Sequence, residues 1–93
     1  MKKRGITMEE FMRKFVKLNG KKAKILLEHC LFDKQVHYRE ELHIINDNGR
    51  IGVRIKGNDI FVYKQDVKAS KACDNIFMIS DGRLTITIIV NEL

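Results

Sequence analysis

The chain has 93 residues, of which 44% are hydrophobic and 32% charged, and it carries a net charge of +6 with no proline, no tryptophan and two cysteines. That length holds a single domain, 1–93, with one modest hydrophobic core. No run of about 18 apolar residues is present, so no membrane-spanning helix is expected; Met1-Lys2-Lys3-Arg4 leads into Gly5-Ile6-Thr7 and not into the apolar stretch of a secretory signal, so the expectation is a cytoplasmic protein with no membrane partner.

Residues 1–6 read as a basic tail. Residues 1–24 hold nine Lys or Arg against Glu9 and Glu10, whereas residues 25–93 hold nine against ten acids, so the whole excess of positive charge is N-terminal. Residues 7–19 read as an amphipathic helix, its body running from about Met8 to Leu18. Thr7 and Glu10 have the spacing of a capping box, and Met8, Phe11, Met12, Phe15 and Leu18 fall on one helical stripe. Asn19-Gly20 supplies a residue able to take the left-handed conformation that ends a helix. Arg13, Lys14 and Lys17 lie on the outward side and continue into Lys21, Lys22 and Lys24 without an intervening acid. Such a concentrated segment attracts phosphates, although the same residues also suit a solvated helix face.

Residues 22–93 read as a β meander. The stretch 22–32 fits both a helical and a strand period; the extended look of Gln35 to Asp47, which needs a partner, favours the strand. Asn48-Gly49, Asn58-Asp59 and Asp81-Gly82 are two-residue turn signals between alternating apolar residues. With Asn48-Gly49 as a loop, Asn46 faces Ile51, Ile44 faces Val53 and Leu42 faces Ile55; with Asn58-Asp59 as the next, Ile55 faces Val62. Leu42, Ile44, Val53, Ile55 and Val62 then form a core face. The third hairpin turns Phe77, Ile79, Leu84, Ile86 and Ile88 inward and leaves Ile76, Met78, Thr85 and Thr87 outside. The connection Asp66 to Asp74 has the composition of a short helical turn. Cys30 and Cys73 are far apart and match no metal-ligand spacing, so they read as reduced, buried thiols.

The expected fold is therefore mainly β (α+β): an N-terminal helix followed by a five- or six-stranded antiparallel meander, shaped as a small SH3-like or Sm-like barrel or a strongly bent sheet. Val53-Arg54-Ile55-Lys56-Gly57-Asn58-Asp59-Ile60-Phe61-Val62-Tyr63 resembles the second signature of the Sm-like family, in which apolar residues lead to a basic residue and glycine, two loop residues and another apolar strand. The resemblance implies a ring-forming, RNA-binding module with Lys56, Gly57 and Asn58 at the nucleotide-binding loop. The family's first signature, with its acidic residue and asparagine, has no counterpart, and some thirty residues follow the point where an Sm domain ends.

On the expected outer face, Arg54 beside Tyr63 and Lys56 beside Phe61 interleave cations with aromatic rings, the chemistry by which proteins hold single strands of RNA or DNA. Glu41 stands across from Lys56 in the same register and competes for it. The functional expectation is a small basic binding domain for RNA or single-stranded DNA, with no enzymatic activity and no cofactor. His29, His37 and His43 lack a carboxylate at ligand spacing, and neither a phosphate loop nor a nucleophile elbow is present. The alternative is an assembly domain that forms a homo-oligomer through strand 83–90, in which Ile86, Ile88, Ile89 and Val90 have no charge among them to blunt it as an edge.

Overall fold

The computed structural model describes residues 7–91; the basic tail 1–6 lies outside them. Helix α1 (Met8–Phe15) starts as expected, with the Glu10 backbone N–H donating to Thr7 Oγ1 at 3.1 Å and the Glu10 carboxylate accepting in return. A single 3-10 turn (Val16–Leu18) prolongs it, and Gly20 leaves the helix with φ +88°. The stripe buries Phe11, Phe15 and Leu18, with Met8 and Met12 half-buried beside them.

Eight strands follow: β1 (Lys22–His29), β2 (Phe32–Glu41), β3 (His43–Asp47), β4 (Arg50–Ile55), β5 (Asn58–Tyr63), β6 (Ala69–Cys73), β7 (Ile76–Ser80) and β8 (Leu84–Val90). They form a five-stranded antiparallel sheet of order β2-β1-β8-β7-β6 and a three-stranded sheet of order β3-β4-β5. The mainly-β class with one N-terminal helix is as expected, but the described residues hold eight strands where five or six were expected, in two sheets that do not close into a barrel. The stretch 22–32 takes the strand alternative. The chain passes between the sheets at buried Leu42, whose N–H donates to the Lys21 carbonyl and whose carbonyl accepts from the Gly20 N–H, both at 2.8 Å. One core fills the space between: Ile25, Ile79, Ile86, Ile88 and Phe77 from the larger sheet meet Ile51, Val53, Ile55 and Val62 from the smaller, with Phe11 and Phe15 of α1 covering one side. Phe11 stacks on Phe15 at 5.1 Å between ring centroids and meets the edge of Phe77 at 6.3 Å.

Asn48-Gly49 is the β3–β4 loop, and Asn46 faces Ile51 and Ile44 faces Val53 as read from the sequence. Ile44 is half-buried, whereas Leu42, Val53, Ile55 and Val62 are buried. The next hairpin corrects the expected register. Its loop is Lys56-Gly57, with φ of 51° and 84°, and not Asn58-Asp59; Ile55 faces Asn58, Val53 faces Ile60 and Ile51 faces Val62. Two successive positive φ values suit a tight hairpin turn, and glycine at the second position takes one of them without a Cβ penalty. Because the loop moved by two residues, the alternation is preserved and Val62 still points inward, against a different partner.

Three further expectations are overturned. Asp66 to Asp74 holds no helical turn across its length: a 3-10 turn spans Lys64–Asp66, and β6 follows, paired along its whole length with β7. Strand 83–90 is not an edge, since β8 is hydrogen-bonded to β1 on one side and β7 on the other; the uncharged run Leu84–Val90 is that of a central strand. Cys30, in the β1–β2 turn, and Cys73, at the end of β6, are exposed, not buried. No helix among the described residues is long and apolar enough to cross a membrane.

Candidate nucleic-acid interface

The basic segment divides where the helix ends. Arg13, Lys14 and Lys17 stay exposed on the helix and its 3-10 turn, and Arg13 lines a shallow depression with Glu9, Met12, Val16 and Asn46. Lys21, Lys22 and Lys24 go instead to the start of β1, where β2 carries an irregularity. Ala23 faces Glu40 and Ile25 faces His37, so Tyr38 and Arg39 together oppose the single residue Lys24. That is a β-bulge, with Arg39 at φ 54°, and a bulge re-aims the side chains it carries. Tyr38 is turned beside Lys24, whose ammonium lies 5.2 Å from the ring centroid. The result is an open groove lined by Lys21, Lys22, Lys24, Tyr38, Arg39 and Asn91, where the Asn91 N–H donates to the Lys22 carbonyl at 3.2 Å.

This groove joins four cations to one aromatic ring that is 67% exposed. Among the described residues, no carboxylate comes within ion-pair distance of any of the four; Glu41, across from Lys22, stands 4.0 Å from His43. The charge is thus available to an incoming anion, and the ring face to a planar group.

The expected pairing of Arg54 with Tyr63 and Lys56 with Phe61 is not formed, because the β4–β5 loop lies at Lys56-Gly57. Arg50 faces Tyr63, Gly52 faces Phe61 and Arg54 faces Asp59. Glu41 faces Lys22 and not Lys56. The Arg50 guanidinium lies 4.8 Å above the Phe61 ring, Phe61 meets Tyr63 edge-on at 5.4 Å, and Arg50 donates from Nε to Asp47 Oδ1 at 2.9 Å with a second contact from Nη2 to Oδ2. Arg54 Nε donates to Asp59 Oδ1 at 2.7 Å. The hydrogen bond from Arg50 holds the Asp47 carboxyl below its usual range, and the one from Arg54 does the same for Asp59; both arginines are held further in the charged form. Cations and aromatic rings do meet on this face, but each arginine already has its carboxylate. Lys56 and Gly57 sit at the hairpin tip with Asn58 just beyond, all exposed.

Sequence reasoning missed Tyr38, Arg39 and Asn91. A tyrosine next to an arginine in a strand recognised as extended was the one available signal; the bulge that aims them was not visible. The histidines are dispersed: His29 Nδ1 accepts from the Leu31 N–H at 3.0 Å, His37 contacts Gln35, and His43 lies exposed opposite Arg54. No three of the described His, Cys, Asp and Glu residues cluster as metal ligands.

These elements define a small mainly-β domain of two antiparallel sheets and one capping helix. Comparison with protein-family models, with curated proteins and with solved structures gives no match.

Proposed function

We propose that this chain is a binding domain for single-stranded nucleic acid, RNA or DNA, that takes phosphates on Lys21, Lys22, Lys24 and Arg39 and stacks a base on Tyr38. The observation that carries the reading is the groove itself: four cations without a carboxylate partner among the described residues, around one exposed ring. Duplexes suit it less, because their bases are stacked away from a ring at the protein surface, whereas an unpaired base is free to cover it. Arg13, Lys14 and Lys17 add long-range attraction from the helix. Arg54, Phe61 and Tyr63 support the sheet more than they serve a ligand, since the arginines of that face are neutralised in place. The loop Lys56, Gly57 and Asn58 keeps the nucleotide-binding role that the Sm-like resemblance implies for it.

Fluorescence anisotropy with labelled RNA and DNA oligonucleotides at low salt tests the reading. Charge reversal at Lys21 and Lys22 should weaken binding to every sequence and flatten its salt dependence by roughly one counterion per lost phosphate contact. Tyr38→Ala should cost about 1–3 kcal/mol with the salt slope unchanged. Absence of binding to either polymer at tens of micromolar protein refutes the proposal.

A further inference from the structure

The groove opens onto a larger surface. Alternation in the five-stranded sheet sends Ile25, Ile88 and Phe77 to the core and their neighbours outward. The register lines up Val36, Leu26, Thr87, Met78 and Lys71 in a row that crosses all five strands. Lys24, Ile89 and Ile76 form a parallel row beside it. None of these residues is buried, and Ile76 is 40% exposed. One end of this face is the Lys24–Tyr38 stack; the other is Lys71 on β6.

We propose that the face is the platform for the bases of the same strand whose phosphates enter the groove, so that a segment of about four nucleotides crosses the sheet from Tyr38 to Lys71; the inference rests on the groove reading. Its centre is apolar, and Lys22, Lys24 and Lys71 on it outnumber Glu28 and Glu41, the latter directly opposite Lys22. A second copy laid face to face would set lysines against lysines. A single strand of nucleic acid brings flat, partly apolar bases to the centre and negative phosphates to the rim, which satisfies both. Four strand spacings of about 4.8 Å make a path of roughly 19 Å, and about four nucleotides is the low end of what small β domains hold in this way. The Thr87 hydroxyl, midway along the row, offers a donor and an acceptor to a base edge.

Titrations with oligouridylates of two, four and eight nucleotides at low salt test it, using the wild-type chain, Met78→Glu and Lys71→Glu, with circular dichroism to establish that each variant is folded. Affinity should rise about thirtyfold from two nucleotides to four and then flatten, the scale of two added stacked bases at the low end of what each contributes. Met78→Glu should lose that gain and leave dinucleotide binding unchanged. Should Met78→Glu fail to fold, Lys71→Glu, exposed at the rim, carries the test with a smaller loss of the same kind. Affinity that is already flat at two nucleotides, with both variants binding like the wild type while Tyr38→Ala weakens all lengths, overturns the platform and leaves the groove standing. No binding at any length overturns both. Self-association in light scattering that Met78→Glu abolishes assigns the face to a second copy and overturns the platform.

Discussion

Replacing Gly52 by alanine tests the β4–β5 register directly. An added Cβ at Gly52 would stand 2.0 Å from the Ile60 carbonyl oxygen, 2.5 Å from Phe61 Cα and 2.8 Å from Phe61 Cβ. The nearest of these are backbone atoms, so no rotamer change relieves the clash and β5 must move away from β4. Moving it disturbs the ladder that holds Val62 in the core and lifts Phe61 from beneath Arg50. Overpacking of this kind costs about 1–3 kcal/mol and occasionally more; because the obstacle is main chain, about 3 kcal/mol is expected. In a domain of this size such a loss lowers the melting temperature by more than about 10 °C. Gly49→Ala is the control: nothing lies within 4 Å of its Cβ position, and its φ of +86° makes the cost conformational only, about 1–2 kcal/mol. Urea unfolding of the three proteins, followed by circular dichroism, separates the cases. With Asn58-Asp59 as the loop, Gly52 would face Gln65 in place of Phe61, and the contacts to Ile60 and Phe61 would not form. Gly52→Ala as stable as Gly49→Ala, or more so, refutes the observed register.

Two other outcomes follow from the structure. Phe11→Ala, which empties a site between Phe15 and Phe77, should cost about 3–5 kcal/mol in the same urea assay; a loss under about 1 kcal/mol would mean that α1 does not cover the core. Asp47, Asp59 and Asp81 all have carboxyl groups held below their usual range, Asp47 by Arg50, Asp59 by Arg54 and Asp81 by the Leu84 N–H at 2.8 Å. A depressed folded value means that the unfolded chain binds protons first on acidification, so this stabilisation is present above about pH 4, the unfolded carboxylate value, and is lost as pH falls through the folded values. The urea midpoint should be flat from neutral pH to about pH 5 and decline below pH 4, less steeply in Asp59→Asn; a midpoint that does not respond to acid removes these three groups from the stability of the fold.

What the sequence made legible was whatever depends on a short span of residues. The Thr7–Glu10 cap, the Phe11–Phe15–Leu18 stripe and the Asn48-Gly49 turn each need only three or four neighbours in the chain, and all three form as read. The Lys56-Gly57 turn escaped because two turn signals compete within four residues, Lys56-Gly57 and Asn58-Asp59, and both give the same inside-outside alternation; a pattern of period two cannot distinguish loops offset by two. The choice falls to a contact that spans the hairpin, since Lys56-Gly57 brings Asp59 to Arg54 at 2.7 Å. The same shift rearranged the expected site. The cations and rings on β4 and β5 are of the types that hold single strands, but the observed register gives each arginine an acid, and the charge there is neutralised internally. Among the described residues, four cations without a carboxylate partner gather where the register is irregular, at the Tyr38-Arg39 bulge opposite Lys24, and a bulge bends the strand that carries it. Local composition does not encode that bend. The residues best placed to meet a ligand are therefore the ones whose arrangement depends on the whole fold, and Tyr38, unremarkable as a letter in a charged strand, becomes the centre of the groove only when β1, β2 and the end of β8 are in position around it.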